Sequence, residues 1–78
     1  MPEAVIEGIK KHIAKVAKCK VSAVGDNKRL AEDLKLRSIN RIELAALLED
    51  TFGVKITNRE ILRAKTVSDV ITLVQSKS

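Results

Sequence analysis

Ser38 is the residue of this 78-residue chain whose type and position most directly suggest chemistry. It stands at the head of a run of helix-forming residues, 38–52, so its hydroxyl is expected at a helix N-terminus. It could be an ordinary N-cap, since serine oxygens accept hydrogen bonds from the free N–H groups of a first turn. It could instead anchor a phosphodiester, because those N–H groups and the helix dipole favour an anion. Position alone favours the N-cap.

The other reactive side chains do not form a catalytic or metal-binding set. His12 and Cys19 are the only imidazole and thiol. Even within one helix they would lie about 10 Å apart along the axis, beyond the reach of a nucleophile and its base. One histidine and one cysteine cannot supply four nitrogen and sulfur ligands to a metal. We therefore expect no enzyme activity and no metal site, with Cys19 half-buried and His12 bordering the apolar stripe of its helix.

The composition is that of a small globular protein with excess basic charge. There are 15 Lys and Arg against 10 Asp and Glu, a net charge of +5, and 45% of the residues are hydrophobic. A single cysteine argues against a disulfide framework. The longest apolar run, Leu44–Leu48, is far shorter than the roughly 20 residues of a membrane span, and the first residues do not resemble a secretion signal. We expect one cytoplasmic domain over residues 1–78, without a membrane span.

The first half of the chain predicts one helix and a long loop. Apolar residues at helical spacing indicate an amphipathic helix over 3–18, on which Glu7 can pair with Lys11. The pattern then becomes irregular through Arg37, which indicates a long first loop with a helical turn near Leu30–Leu34.

The second half predicts three further helices. The strongest covers 38–52 and ends at Gly53, a typical residue after a helix. The pattern T-x-x-E from residue 57 is a capping box that opens a short helix through Arg63. A similar T-x-x-D pattern from residue 66 opens the last helix, whose tail at 75–78 is expected to fray. The predicted fold class is therefore all-α, a small four-helix bundle of three main helices and one short helix.

The helix at 38–52 has two apolar faces, although burial requires only one. Four residues lie on a side that suits a core: Leu44, Leu47, Leu48 and Phe52. The nearly opposite side and its borders carry three apolar and three acidic residues: Ile39, Ile42, Ala46, Glu43, Glu49 and Asp50. Residues 38–53 have a net charge of −2, so the rest of the chain carries +7. Either the bundle buries both faces, or the second face is an acid-ringed apolar surface that binds a basic partner.

Residues 32–44 resemble the signature of the acyl carrier protein family. In that family a D-L-G-x-D-S-L-like run precedes a helix, and its serine carries 4′-phosphopantetheine; here the run reads D-L-K-L-R-S-I. Residues 48–56, L-E-D-T-F-G-V-K-I, are similar to the family's L-E-E-x-F-G-V-x-I, and residues 66–70 resemble the start of its last helix. The length, the helix order and the long first loop also match, so the resemblance covers nearly the whole chain.

The resemblance implies a carrier function. A phosphopantetheinyl transferase would attach 4′-phosphopantetheine from coenzyme A to Ser38. The thiol of that arm would hold an acyl or aminoacyl group as a thioester, supplied by a loading ligase and passed to acyl-transferring or condensing enzymes. The residues that match the family's recognition helix are those of the second face: Ile39, Ile42, Glu43, Ala46, Glu49 and Asp50. The protein is expected to act as a monomer.

Arg37 is the main departure from the family, in which an aspartate usually precedes the serine. Lys35, Ile39 and Asn40 also replace a usual glycine, leucine and acid. Arg37 could bind the phosphate of the arm, or it could repel a transferase whose cations recognise an acid. Together with the basic net charge, these departures favour a specialised lipid or secondary-metabolite pathway over housekeeping fatty acid biosynthesis.

Two other functions stay open. The chain could be a carrier-like protein-interaction adaptor that is never modified. It could also bind nucleic acid or an anionic membrane through a basic set of residues: Lys10, Lys11, Lys15, Lys18, Lys20 and Arg29. Phe52 is the only aromatic residue, so bases have no stacking platform, and the acidic helix has no role in such binding. We therefore expect no nucleic-acid partner.

Overall fold

The computed structural model describes residues 3–77, and the helices within them follow the predicted order. They are α1 (Glu3–Ala17), α2 (Ser38–Phe52), α3 (Asn58–Arg63) and α4 (Val67–Lys77). The part of the chain described contains no strand, only an isolated bridge between Arg29 and Thr66. The all-α fold class is thus confirmed. None of the helices within 3–77 is long and apolar enough to cross a membrane.

Most helix boundaries agree with the sequence prediction, and the last one differs. Helix α4 continues through Lys77, where the ammonium group lies 2.6 Å from the Glu60 carboxylate. The predicted fraying is therefore wrong for residues 75–77, while Ser78 lies outside the described residues. The sequence also gave no sign of the 3₁₀ turn at Val21–Ala23.

The core is aliphatic and draws on every helix. Its fully buried large side chains are Ile9, Ile13, Leu30, Leu44, Leu48, Ile61, Val67, Val70 and Val74. Phe52 packs at the edge of this core, where α1 passes close by: a Cβ atom on Gly8 would lie 3.2 Å from Phe52 Cζ. The His12 ring stands edge-on to Phe52 with centroids 6.4 Å apart. These contacts set α2 against α1 and so fix which face of α2 points outward.

The long loop between α1 and α2 is anchored to the rest of the bundle. Leu30 is fully buried, and its N–H donates to the Lys65 carbonyl at 2.8 Å. The N–H of Val67 donates to the Lys28 carbonyl at 3.0 Å, which joins the loop to the start of α4. The predicted helical turn is present, since the Asp33 N–H donates to the Arg29 carbonyl, four residues earlier, at 2.9 Å. The loop therefore delivers the chain to Ser38 from a fixed position.

Candidate functional site

Ser38 is the first residue of α2 and is exposed, but it is not the N-cap. Arg37 holds that position, because its backbone is extended (φ −85°, ψ 171°) while its carbonyl accepts the Arg41 N–H at 3.1 Å. The N-cap interpretation of Ser38 is therefore wrong. Within residues 3–77 no hydrogen bond to the Ser38 hydroxyl is present. The side chain is free for chemistry.

The backbone around Ser38 offers donors to an anion. The first N–H groups of a helix have no acceptor inside it, so those of Ser38, Ile39 and Asn40 face outward from the start of α2. The Asn40 amide oxygen accepts the Arg37 N–H at 3.0 Å, which steadies the turn into the helix without covering those groups. A phosphodiester on the Ser38 oxygen would lie beside free donors at the positive end of the helix dipole.

Arg37 adds an unpaired positive charge next to Ser38. Its side chain is exposed and makes no ion pair within the described residues. The acidic residues of the preceding loop are engaged elsewhere: Arg29 lies 2.7 Å from a Glu32 oxygen and 3.2 Å from an Asp33 oxygen. The side-chain hydrogen bond from Arg29 lowers the pKa of Asp33, so that carboxyl is ionised but already partnered. The site therefore suits a phosphate group, and the Arg37 guanidinium is available to bind it.

The turn that leads into the site contains a left-handed residue. Lys35 has φ 59°, in the region that favours glycine. It stands where the resembling family has its glycine, three residues before Ser38. The backbone path is therefore the one a glycine would give most easily, and a lysine adopts it here under steric cost.

The second face of α2 is at the surface. Ile39 is 58% exposed, Ala46 is exposed, and Ile42 is half-buried. Of the two interpretations made from the sequence, burial on both sides is excluded for Ile39. Glu43 and Asp50 are also exposed, and neither forms an ion pair with another residue in 3–77.

Glu49 differs from the other acids of this helix. One of its carboxylate oxygens accepts the Ile56 N–H at 2.7 Å, and the side chain is half-buried. The bond secures the segment that follows Gly53, whose left-handed backbone (φ 67°) ends α2 and reverses the chain. Glu49 therefore has an internal partner that the sequence did not reveal.

The basic set proposed for nucleic acid is broken up by internal ion pairs. Lys10 lies 2.6 Å from Asp26, and Arg29 is held by Glu32 and Asp33. The pair expected between Glu7 and Lys11 is absent. The remaining members, Lys11, Lys15, Lys18 and Lys20, are exposed. Two of the six cations are thus partly neutralised within the fold, which weakens the case for a phosphate-backbone interface.

Within residues 3–77 no hydrogen bond joins the His12 ring to the Cys19 thiol. The Nε2 atom of His12 lies 2.8 Å from the Thr51 hydroxyl oxygen, so the ring is bound to α2. Cys19 is exposed rather than half-buried as predicted, because α1 ends at Ala17 and the chain turns away at Lys18, which has φ 57°. Across residues 3–77 no group of three or more His, Cys, Asp or Glu side chains could hold a metal ion.

A cleft on the other side of α2 contains a residue that sequence reasoning missed. The cleft, of about 270 Å³, lies between the loop before α2 and the α3–α4 region. Arg41 lines it, and its Nη1 atom donates to the Leu62 carbonyl at 3.3 Å. The Arg41 Nε atom is buried and has no hydrogen-bond partner among residues 3–77. The one feature of the sequence that could have drawn attention to Arg41 is that it is the sole cation of the otherwise acidic helix α2.

Comparison with known sequences gives a consistent result. The family described as "Phosphopantetheine attachment site" matches residues 7–74. The chain is similar to a meromycolate extension acyl carrier protein of Mycobacterium leprae, with 34% identity over 73 residues; the match covers 94% of this chain and 64% of that protein. It is also similar to an acyl carrier protein of Thermobifida fusca, with 31% identity over 71 residues, covering 91% and 90% of the two chains.

Solved structures show the same fold. An acyl carrier protein from Enterococcus faecalis superposes with a TM-score of 0.80 at 28% identity, covering 97% of this chain and 96% of that one. A doublet acyl carrier protein from prodigiosin biosynthesis superposes with a TM-score of 0.82 at 20% identity, covering 97% of this chain and 37% of that one.

Proposed function

Because the chain belongs to the acyl carrier protein family, whose members have a phosphopantetheine attachment site, we propose that Ser38 is the residue to which its prosthetic arm is joined. The observation that carries the proposal is the Ser38 hydroxyl, which is exposed at the first position of α2 and forms no hydrogen bond with the residues that the structure describes. The arm supplies a thiol that holds an acyl or aminoacyl group as a thioester. The role of this chain is to present that group, since family members are carriers rather than catalysts.

Arg37 is proposed to bind the phosphate of the arm. Its guanidinium has no carboxylate partner in the described residues, and charge-assisted hydrogen bonds to phosphate are the strong ones. The free N–H groups at the start of α2 would add neutral donors to the same group.

The outward face of α2 is proposed as the docking surface for partner enzymes. Its centre is apolar, at Ile39 and Ala46, and its borders carry Glu43 and Asp50. Such a surface suits a basic patch with a small apolar pocket. The expected partners are the phosphopantetheinyl transferase, an acyl-loading ligase, and acyl-transferring or condensing enzymes. Ile42 and Glu49, which are half-buried, would contribute less than the fully exposed residues.

The pathway is proposed to be a specialised one. The chain has a net charge of +5 and an arginine before the attachment serine. Among its relatives is a carrier named for meromycolate extension, and one with the same fold takes part in prodigiosin biosynthesis. Both names belong to dedicated lipid or secondary-metabolite routes. We propose that residues 1–78 act as one carrier domain and as a monomer.

An intact-mass experiment tests the attachment site. The purified protein is incubated with coenzyme A, Mg²⁺ and a broad-specificity phosphopantetheinyl transferase. We expect a single phosphopantetheine adduct that is absent from Ser38→Ala. Ser68→Ala is the matched control, because Ser68 is also exposed in the first turn of a helix, α4, and should keep the adduct.

The opposite result would favour the adaptor function. If several transferases give no adduct, the chain is a carrier-like protein that is not modified. A slow reaction would have a different cause, namely repulsion between Arg37 and a transferase that recognises an acid. In that case Arg37→Asp should increase the rate several-fold, whereas an unchanged rate would exclude repulsion.

A further inference from the structure

The packing of α1 against α2 determines which parts of the chain lie at the end of the bundle that carries Ser38. At one end, a Cβ atom on Gly8 would lie 3.2 Å from Phe52 Cζ, so the first half of α1 meets the end of α2. At the other end, Lys18 and Asn40 line the same groove. The residues that follow α1 and the start of α2 therefore lie together, and we call this region the Ser38 end.

The Ser38 end carries lysines without internal partners. Four exposed lysines, which we call the lysine cluster, come from the segment between α1 and α2: Lys18, Lys20, Lys28 and Lys35. None of the four forms an ion pair within residues 3–77. Lys28 and Lys35 line one groove with Cys19 and Ala23, so the loop brings them to the residues just after α1. The cluster is thus formed by the fold and not only by neighbours in sequence.

The acids of the same segment do not neutralise the lysine cluster. They pair with cations outside it, Asp26 with Lys10, and Glu32 and Asp33 with Arg29. Residues 18–37 contain six Lys and Arg against three Asp and Glu, a net charge of +3. Glu43 of α2 lines the groove beside Lys18 and borders the cluster. The Ser38 end therefore keeps an excess of positive charge.

A small apolar turn lies within the lysine cluster. The 3₁₀ turn Val21–Ala23 directly follows Lys20, and none of its residues is buried. The Val21 side chain is 42% exposed. The turn is fixed in place, because the Ala23 N–H donates to the Lys20 carbonyl at 2.9 Å and Val24 is buried in the core. The fold thus holds an apolar side chain at the surface beside several cations.

Lysines around an exposed valine suit a lipid surface better than a protein or a nucleic acid. Lysine is a compact, hydrated point charge, whereas protein interfaces favour arginine and are depleted in lysine. A nucleic acid would contact the lysines but not Val21, and the only aromatic residue, Phe52, lies at the far end of α2. An anionic bilayer uses both features, since cations stay at its headgroups while an apolar side chain enters the acyl boundary.

We propose that the Ser38 end docks on an anionic lipid surface, with the lysine cluster at the headgroups and Val21 inserted between them. Exposed acids lie toward the other end of α1 and α2, at Glu3, Glu7 and Asp50, and such a surface repels them. The molecule is therefore oriented with Ser38 toward the lipid. Docking itself does not require the prosthetic arm. Its use, to bring a carried acyl group to a membrane, rests on the proposed attachment at Ser38.

Vesicle sedimentation tests the docking with the unaltered apo protein. One set of vesicles is phosphatidylcholine with about 30% phosphatidylglycerol, and the other is phosphatidylcholine alone. Each lysine near an anionic surface strengthens binding about fivefold, so four give an association constant on the order of 10³ M⁻¹. We expect half of the protein to sediment at about 1 mM accessible anionic lipid, and little to sediment with the neutral vesicles. Binding should be lost as the salt concentration rises.

Variants locate the docking surface. Lys20→Gln should weaken binding to the anionic vesicles about fivefold, and its combination with Lys18→Gln about 25-fold. Lys55→Gln is the matched control, because Lys55 is also an exposed lysine but follows the far end of α2, roughly 22 Å from Ser38 along the helix axis. That distance exceeds two Debye lengths at physiological salt, so binding should change less than about twofold.

Val21→Ser separates a lipid surface from other polyanions. It keeps every lysine and removes apolar surface, so it should weaken vesicle binding several-fold. Binding to a duplex DNA of random sequence, measured in parallel, should be weak and should not respond to this change.

Every other result overturns the inference. Equal sedimentation with neutral and anionic vesicles, or none with either, excludes docking through the lysine cluster. Equal weakening by Lys20→Gln and Lys55→Gln would mean that net charge, and not the Ser38 end, attracts the lipid. Vesicle binding that Val21→Ser leaves intact, with equally tight binding of DNA, would identify an unselective polyanion surface. All of these measurements use apo protein, so they leave the attachment at Ser38 to be decided separately by intact mass.

Discussion

The starts of α2, α3 and α4 are bonded in two different ways. At α3 the Thr57 hydroxyl oxygen accepts the Glu60 N–H at 3.1 Å, and a Glu60 oxygen accepts the Thr57 N–H at 2.9 Å. The start of α4 repeats this exchange between Thr66 and Asp69, at 3.2 Å in each direction. Both helices are therefore closed at their N-termini by their own side chains.

The start of α2 makes only half of that exchange. The Asn40 side chain accepts the Arg37 N–H, but an arginine at the N-cap has no oxygen with which to accept in return. The Ser38 hydroxyl stands next to the cap position and does not fill it. The comparison shows where the protein closes its helices for stability and where it leaves donors open, and the open place is the candidate attachment site.

The two ends of α2 also differ in the steric cost of their backbone conformation. Gly53 ends the helix in a left-handed conformation at φ 67° without steric cost. Lys35, in the turn that leads into α2, adopts nearly the same angle, φ 59°, with a full side chain. The approach to Ser38 is thus strained where the exit of the helix is relaxed.

Removal of a hydroxyl group should give the largest difference in stability between the starts of α3 and α2. Thr57→Ala should lower the free energy of unfolding by about 1 kcal/mol, because it removes a cap from α3. Ser38→Ala should change it by less than about 0.5 kcal/mol, since its hydroxyl is exposed and unbonded. Urea denaturation of both variants measures the difference. A loss for Ser38→Ala as large as that for Thr57→Ala would mean that Ser38 caps the helix after all.

The strain before α2 gives the next prediction. Lys35→Gly should raise the free energy of unfolding by about 0.5–1 kcal/mol, since relief of the left-handed backbone outweighs the added freedom of the unfolded chain. Lys55→Gly is the control, because Lys55 is also an exposed loop lysine but has no positive φ. It should lower stability. If both variants are destabilised alike, the turn at Lys35 is not strained.

The features that sequence predicted well are those encoded by neighbouring residues. The patterns at Thr57–Glu60 and Thr66–Asp69 gave the starts of α3 and α4 because each cap needs only three residues of separation. Gly53 gave the end of α2 for the same reason. Helical spacing also identified the second apolar face around Ile39, and the structure decided that this face is exposed.

The features that sequence missed depend on how distant segments meet. Glu49 bonds to Ile56 only because the chain reverses at Gly53. The buried Nε of Arg41 depends on where α3 is placed against α2. The capping position fell to Arg37 because its backbone is extended, which residue type alone does not determine. Helical spacing can suggest a face, but it does not show which carboxylate is already engaged.

Low pH should destabilise the helix starts that a carboxylate closes, and it should not destabilise the open start of α2. The hydrogen bond from Lys77, together with those from Thr57, lowers the pKa of Glu60 from 4.5 to about 2. A carboxyl whose pKa is lowered by folding stabilises the protein above its unfolded pKa, and that contribution disappears as the pH falls toward the folded value. Unfolding free energy should therefore decrease between about pH 4.5 and pH 2.

Two variants identify the source of that decrease. Glu60→Gln keeps a side-chain oxygen for the Thr57 N–H but loses the charge, so its stability should depend less on pH over this interval. Glu43→Gln removes an exposed acid that forms no ion pair in the described residues and should leave the profile unchanged. Denaturation midpoints across the interval measure both. Identical slopes for the two variants would show that Glu60 is not responsible.

The smallest expected effect is the gain in stability when a phosphate on Ser38 occupies the open start of α2. If Arg37 binds the phosphate on Ser38, attachment of the arm should stabilise the unaltered protein more than it stabilises the Arg37→Gln variant. The expected difference is about 0.2–1 kcal/mol, as for an exposed ion pair. Thermal midpoints of the apo and holo forms of each protein give this difference, which should shrink at high salt. Arg59→Gln removes an equally exposed arginine from α3 and should not alter it. If holo and apo Arg37→Gln differ as much as the unaltered forms do, the free N–H groups of α2 bind the phosphate without Arg37, and the arginine serves partner recognition instead.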